Sequence, residues 1–133
     1  MLPKVSIIVP CYNEQSTIHL LLEALCEQTY PRTEMEVIIA DGLSTDGTRD
    51  VISAFQKAVP DLSVRIVDNP RRYIPSALNR AIEAARGEVI VRVDGHSKPY
   101  PDYVMNCIAA HLAGRGDNAV SYTHLTLPTI YSV

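Results

Sequence analysis

Four short runs rich in β-branched residues, each running into a polar turn, constrain the fold of this chain more than any other feature. Residues 5–9 (VSIIV) form a mainly apolar run closed by Pro10, which fits a strand covered on both faces of a parallel sheet. Over residues 14–28, Ile18, Leu21, Leu22 and Leu25 fall at i, i+3, i+4 and i+7. That spacing predicts one face of a helix, with Asn13 as its N-cap and Tyr30-Pro31 as its end. Residues 35–40 (MEVIIA) repeat the strand signature and enter the turn Asp41-Gly42-Leu43-Ser44-Thr45-Asp46-Gly47-Thr48. A second helix is predicted beyond it with Val51, Phe55, Ala58 and Val59 inward, and residues 62–67 read as a third strand. After the loop at 68–73, Pro75 opens a third helix carrying Leu78, Ala81, Ile82 and Ala85 inward, with Gly87 expected at its C′ position. Residues 88–93 form a fourth strand, and 101–113 a further helix with Val104, Ile108 and Leu112 inward. The alternation predicts an α/β fold, a mostly parallel sheet with right-handed crossovers and helices on both faces.

Composition narrows the partners. At 133 residues, 47% apolar and 20% charged, the chain has material for one modest core. A net charge of -3 argues against a nucleic-acid partner, which calls for a basic face. Cys11, Cys26 and Cys107 are odd in number and far apart, so neither a disulfide framework nor a zinc site is expected, and a reducing cytoplasm is the natural reading. The opening MLPKVSIIVP turns polar at Cys11-Tyr12-Asn13, short of a signal peptide, and no stretch approaches the ~20 apolar residues of a membrane span.

Open parallel sheets bind ligands outside the carboxyl ends of their strands. There the first strand delivers Tyr12, Asn13 and Glu14, the second Asp41, Ser44 and Asp46, the fourth Asp94 and His96. Helix N-termini following these loops suit a phosphate-bearing ligand. Neither G-x-G-x-x-G nor G-x-x-x-x-G-K-[ST] is present, so the dinucleotide and P-loop readings have no support. A divalent cation at Asp94-Gly95-His96 is one way to neutralise a diphosphate, and a hydrogen-bonding loop histidine is the plainer reading of His96. Ser44 and Asp46 are expected to cap the second helix. Arg71 and Arg72 serve either as guanidinium forks for a diphosphate or as solvated loop charges. Tyr73, His19 and His111 read as surface or packing residues, and Cys11 as a small buried side chain.

Three motifs in this order and spacing, Val5-Ser-Ile-Ile-Val-Pro-Cys-Tyr-Asn-Glu14, Ala40-Asp-Gly-Leu-Ser-Thr-Asp-Gly-Thr48, and Ala77-Leu-Asn-Arg-Ala-Ile-Glu-Ala-Ala-Arg-Gly87 leading to Val93-Asp-Gly-His96, resemble the family-2 glycosyltransferases of GT-A fold over about residues 4–118. The version Arg92-Val-Asp-Gly-His96, with His where most relatives carry the second Asp of a DxD motif, resembles the succinoglycan and exopolysaccharide glucosyltransferase branch. The resemblance implies an inverting transfer of a hexose from a UDP-sugar, UDP-glucose in that branch, to a polysaccharide or lipid-linked acceptor. It implies donor contacts from Pro10 and Tyr12 to the nucleobase, Glu14 near the ribose, Asp41 on the base edge, Asn79 near the donor, Asp94 on the ribose and metal, and His96 on the metal. The metal would be Mn2+ or Mg2+, with histidine favouring Mn2+.

The resemblance places the catalytic base in a second half, so residues 1–119 read as the nucleotide-sugar-binding half of a domain truncated on its C-terminal side. Such a piece is expected to bind donor without turnover, its parent acting at the cytoplasmic face of a membrane. Residues 120–133 do not resemble the family; Val120-Ser-Tyr-Thr-His-Leu-Thr-Leu-Pro-Thr129 reads like a translated transposase sequencing adapter, hence a non-native tail, with a short genuine β-like tail as the alternative. Two other functional classes compete. A non-catalytic nucleotide-binding module would bind donor with no turnover in any context; a sugar nucleotidyltransferase needs a Gly-rich basic loop after the first strand, where Cys11-Tyr12-Asn13-Glu14 stands.

Overall fold

The computed structural model describes residues 2–113 and 130–132. Its elements run β1 (Val5–Cys11), α1 (Ile18–Cys26), a 3-10 turn (Arg32–Glu34), β2 (Met35–Asp41), α2 (Thr48–Ala58), β3 (Ser63–Asp68), α3 (Ile74–Ala84), β4 (Val89–Arg92), α4 (Tyr103–Ala113) and β5 (Ile130–Ser132). The sheet has the order β3-β2-β1-β4-β5, and all its pairings are parallel. β5 lies beside β4 through Ile90↔Ile130 to Arg92↔Ser132. The segment read as adapter-like, residues 120–129, lies outside the described residues.

Strand alternation sorts the core onto two faces. Val5, Ile7 and Val9, with Val37, Ile39, Val89 and Val91, meet α1, α2 and α4 on one side. Ile8, Ile38, Ala40 and Ile90 meet α3 on the other through Ala77 and Ala81. Those alanines are the fully buried residues of α3, while Leu78 and Ile82 flank the contact half-buried. Helices thus cover both faces, as the alternation predicts.

The helical faces differ in detail from expectation. Ile18, Leu21, Leu22 and Leu25 of α1 are all fully buried, yet the helix begins at Ile18, four residues later than an N-cap at Asn13 would place it. In α2 the buried apolar residue is Ile52, against which Val51, Phe55 and Val59 are only half-buried and Ala58 is exposed. α2 crosses the edge of the core beside α1, so one row of its side chains suffices. In α4, Val104 and Ile108 are buried with Cys107, while Leu112 is 43% exposed because contact with the core ends one turn earlier. Gly87 is needed for a different reason from the one its position indicates. Among the described residues no glycine has positive φ; instead, a Cβ at Gly87 would lie 2.7 Å from the backbone nitrogen of Ser6. The chain passes so close to β1 that only hydrogen fits.

That crossing is fixed by a polar network at the amino edge of the sheet. Ser6 Oγ donates to Glu36 Oε2 (2.6 Å) and accepts from Gly87 N (2.8 Å), while Arg86 N and Arg65 Nη2 also donate to Glu36. Burial alone would raise the Glu36 pKa, but these donors outweigh it and leave the group below its ordinary 4.5. A carboxylate with a lowered folded pKa contributes stability that is complete above the ordinary value and is lost as the pH falls through the folded one. Glu36→Gln is therefore expected to lower the unfolding free energy by about 1–3 kcal/mol at neutral pH, and urea titrations below pH 4.5 should show the gap to wild type closing. A gap that stays constant across that range would show that the carboxylate charge contributes nothing.

Candidate functional site

The strand order reverses between β1 and β4, the place where open parallel sheets bind ligands. β1 and β4 pair only as far as Ile8↔Arg92, with a last bond from Val93 N to Ile8 O at 3.0 Å. Alternate residues of a parallel strand bond alternate neighbours, so the next donor toward β4 would come from position 10. That residue is proline, which has no N–H to leave unpaired. β1 therefore continues through Pro10 along β2 while β4 departs, and a cavity of about 250 Å³ opens in the gap, lined by Pro10, Tyr12, Glu14, Arg92, Asp94 and His96 among others.

The loops above the gap are joined by side chain to backbone bonds. Asn13 Oδ1 accepts from Thr45 N (2.8 Å) and Asp46 N (3.3 Å), and Asn13 Nδ2 donates to Thr45 Oγ1 (3.3 Å). In return Asn13 N donates to Ser44 Oγ and Glu14 N to Thr48 Oγ1, at 2.8 and 2.9 Å. Asn13 is thus a bridge between loops, not the N-cap of α1; that position falls to Thr17. Asp46 accepts from Thr48 N at 3.0 Å, which satisfies the first amide of α2 as expected, whereas Ser44, expected to cap the same helix, bonds Asp41 and Asn13 instead. Asn13, Leu43 and Arg72 have φ of 48°, 61° and 67°, one in each of the loops after β1, β2 and β3. Such backbone costs on the order of 1–3 kcal/mol per residue and persists only where its surroundings impose it.

Two ends of the cavity differ in chemistry. At one end the Arg72 guanidinium carbon lies 5.2 Å from the Tyr12 ring centroid, and Arg72 Nε donates to Gly42 O at 3.1 Å. A Cβ on Gly42 would approach Tyr12 Cδ1 to 3.2 Å and Arg72 Cγ to 3.3 Å, so glycine permits this stacked pair. At the other end the Asp94-Gly95-His96 turn packs on Glu14. A Cβ on Gly95 would fall 2.7 Å from Glu14 Oε2, and His96 Nδ1 lies 3.6 Å from Glu14 Oε1. Arg92 Nη2 donates to Asp94 Oδ1 at 3.3 Å. Cys11, also lining the cavity, has its thiol pushed up to about 12 by burial first and then by Asp41, Glu14 and Asp46. It is a neutral wall, not a nucleophile.

Of the sequence-predicted residues, Pro10, Tyr12, Glu14, Asp94 and His96 meet at the cavity. Asp41 and Asn79 are placed elsewhere. Asp41 is fully buried, its carboxylate accepting from Ser44 N (2.9 Å), Ser44 Oγ and Arg49 Nε (2.7 Å), and Arg49 reaches on to Asp68 at 2.6 Å. Asn79 is exposed on the second turn of α3, not the first, since that helix starts at Ile74. Asn69 and Arg92 line the cavity without having been singled out. Asn69 is 1% exposed and organises the β3–α3 loop, accepting from Ser76 Oγ at 2.7 Å. The strand-end rule that finds Tyr12 and Asp94 would have found both.

Among the described residues no group of three or more His, Cys, Asp or Glu side chains is gathered for a metal ion. Asp94 and His96 nevertheless offer a carboxylate and an imidazole on one turn at the cavity, 36% and 68% exposed. This pair suits a borderline ion such as Mn2+ better than Mg2+, which demands oxygen.

The fold is that of the GT-A glycosyltransferases among solved structures. The mannosyltransferase PcManGT from Pyrobaculum calidifontis, in complex with GDP-Man and Mn2+, superposes with a TM-score of 0.74 at 36% identity, over 83% of this chain and 32% of that one. S. aureus TarS in complex with UDP-GlcNAc gives 0.69 at 27% identity, over 85% and 32%. The chain belongs to the family described as Glycosyl transferase family 2, whose model matches residues 6–124. It is 38% identical over 116 residues to the succinoglycan biosynthesis protein ExoA of Rhizobium meliloti, covering 86% of this chain and 34% of that protein. The chain spans about a third of the length of the curated relatives it matches most strongly.

The loop bridge can be tested directly. Asn13→Gly removes the side-chain bonds but keeps access to φ 48°, whereas Asn13→Ala loses both. In urea unfolding both variants are expected below wild type, with alanine lower than glycine by about 1 kcal/mol. Alanine equal to or above glycine would mean that the left-handed backbone is not imposed at this position.

Proposed function

We propose that this chain forms the donor-binding half of a glycosyltransferase that passes a hexose, with inversion, from a UDP-sugar to a polysaccharide or lipid-linked acceptor of the cell envelope. The observation that carries this reading is the cavity at the β1/β4 switch point, with a flat aromatic at one end and a metal-competent turn at the other. Pro10 and the Tyr12 ring offer surface for a nucleobase, and the Arg72 guanidinium packed on that ring supplies hydrogen-bond donors beside it. Glu14 and Asp94 provide carboxylates that accept ribose hydroxyls. Asp94 and His96 would hold the divalent ion, which when bound offsets charge on a departing diphosphate. Asp41, tied to Ser44 and Arg49, fixes the loops beneath the base end.

TarS, with UDP and UDP-GlcNAc complexes, supports a uridine donor, whereas PcManGT carries GDP-Man. Uridine is taken as the nucleoside of the donor on the TarS complexes. ExoA, a succinoglycan biosynthesis protein, supports a polysaccharide acceptor, and glucose as the sugar follows only from the resemblance to that branch. Acceptor binding and the base that deprotonates it are assigned to sequence beyond the third of the relatives' length covered here, so the chain alone binds donor without turnover. Action at the cytoplasmic face of a membrane is part of the same reading; no helix among the described residues is long and apolar enough to cross one.

Calorimetric titration of UDP, UDP-glucose and GDP, with Mn2+ and with EDTA, tests the assignment. UDP is expected to bind more tightly than GDP and to gain affinity from Mn2+. Tyr12→Ala should weaken UDP about tenfold under both conditions, the size of a lost base–aromatic stack. His96→Ala should remove only the gain due to Mn2+. UDP binding indifferent to both Tyr12 and Mn2+ would sink the assignment, and a preference for GDP would replace uridine by guanosine.

A further inference from the structure

We propose that Arg92 holds the donor's diphosphate directly, so that the chain retains nucleoside diphosphate without a metal ion. This rests on the nucleotide-binding reading of the cavity and adds a residue to it. β4 reads VIVR, three buried apolar residues and then one arginine, 28% exposed, at the last paired position of the strand. Placing a guanidinium at the end of a core strand carries a desolvation cost that must be met by partners.

Three other arginines near the sheet meet most of it with close partners, although Arg65 Nε is left without one. Arg49 bonds two carboxylates at 2.7 and 2.6 Å, Arg65 bonds Glu36 and the Ala84 carbonyl at 2.8 Å each, and Arg32 bonds Asp61 and the Cys26 carbonyl. Arg92 is held more weakly than these three: its one side-chain hydrogen bond among the described residues is the 3.3 Å contact with Asp94, and its side chain lines the cavity. A guanidinium carries five N–H donors in a rigid fork that matches phosphate oxygens.

Charge makes the same point. A turn with one carboxylate and one imidazole carries one negative charge fewer than a turn with two carboxylates, and Arg92 adds a positive charge beside it. In the free chain Asp94 occupies the fork weakly. A diphosphate competes for the same donors, with more charge and with geometry suited to two parallel bonds. Arg92 and Asp94 therefore act as an exchangeable pair: whatever engages Asp94 frees Arg92 for phosphate.

The test is calorimetry on the full chain with uridine, UDP and inorganic pyrophosphate in EDTA, for wild type, Arg92→Met, Arg92→Lys and Asp94→Asn. Wild type is expected to bind UDP at least tenfold more tightly than uridine. Arg92→Met should erase that ratio while leaving uridine unchanged, which also certifies the fold; Arg92→Lys should keep part of it. Asp94→Asn should raise UDP affinity in EDTA, because it removes the competing carboxylate, a sign opposite to that of a site built on metal alone. An unchanged UDP-to-uridine ratio in Arg92→Met, or no ratio in wild type, overturns the proposal with the nucleotide reading intact. Absence of uridine binding in wild type overturns the nucleotide reading instead, and pyrophosphate binding lost in Arg92→Met would then still place an oxyanion on Arg92.

Discussion

The departure of β4 from β1 is the constraint on which the site depends. The two strands share a ladder only to Ile8↔Arg92, and beyond it β1 has one neighbour. A buried strand with one open side must either leave a donor unpaired or lack it. Proline at position 10 takes the second course. The same residue that removes the donor then forms the cavity wall, and the strand that departs carries Arg92 and, just beyond it, Asp94 and His96 along the opposite side. A gap in the ladder and a binding cavity are here one feature.

On the β2–β3 side the arrangement is rigid. Arg49 ties the buried Asp41 to Asp68, joining the ends of two adjacent strands through one guanidinium. Because Asp41 is fully buried and Asp68 largely exposed, the bridge runs from core to surface. Removing Arg49 would leave a carboxylate in the interior with only serine donors, a far greater penalty than the loss of a surface pair. On the β4 side the charges are loosely held, with contacts of 3.3 Å and 3.6 Å for Asp94 and His96. The tightly bonded half adjoins the loop that carries Gly42, against which Arg72 and Tyr12 stack, and the loosely held half is the Asp94–His96 turn.

The sheet was legible because buried parallel strands need uninterrupted β-branched runs, and few other environments tolerate them. The inner face of α1 was legible for a related reason: four aliphatic residues at helical spacing have no other use. Its start was not, since Asn13 has the chemistry of a cap but spends it on Thr45, more than thirty positions away, which no local pattern reveals. Leu112 and Ala58 keep helical spacing past the point where the core ends, so periodicity overran burial. Within the site, position at strand ends pointed to Tyr12, Glu14, Asp94 and His96 and the family resemblance to Pro10, and these five meet at the cavity. Whether a carboxylate there faces the cavity or the interior depends on long-range partners, and Asp41 turns inward to Arg49. Arg92 stands at the end of β4, where the same strand-end rule applies, but it was read as part of the strand and not of the site.

The loops of β1 and β2 are stitched to each other by side chains more than to their own helices. The amides of Thr45 and Gly47 are covered by Asn13 and Gln15, and the amide of Glu14 by Thr48. The amides so covered cannot exchange in one loop without breaking bonds to the other, so in amide-exchange terms the two segments belong to a single opening unit set on top of the sheet.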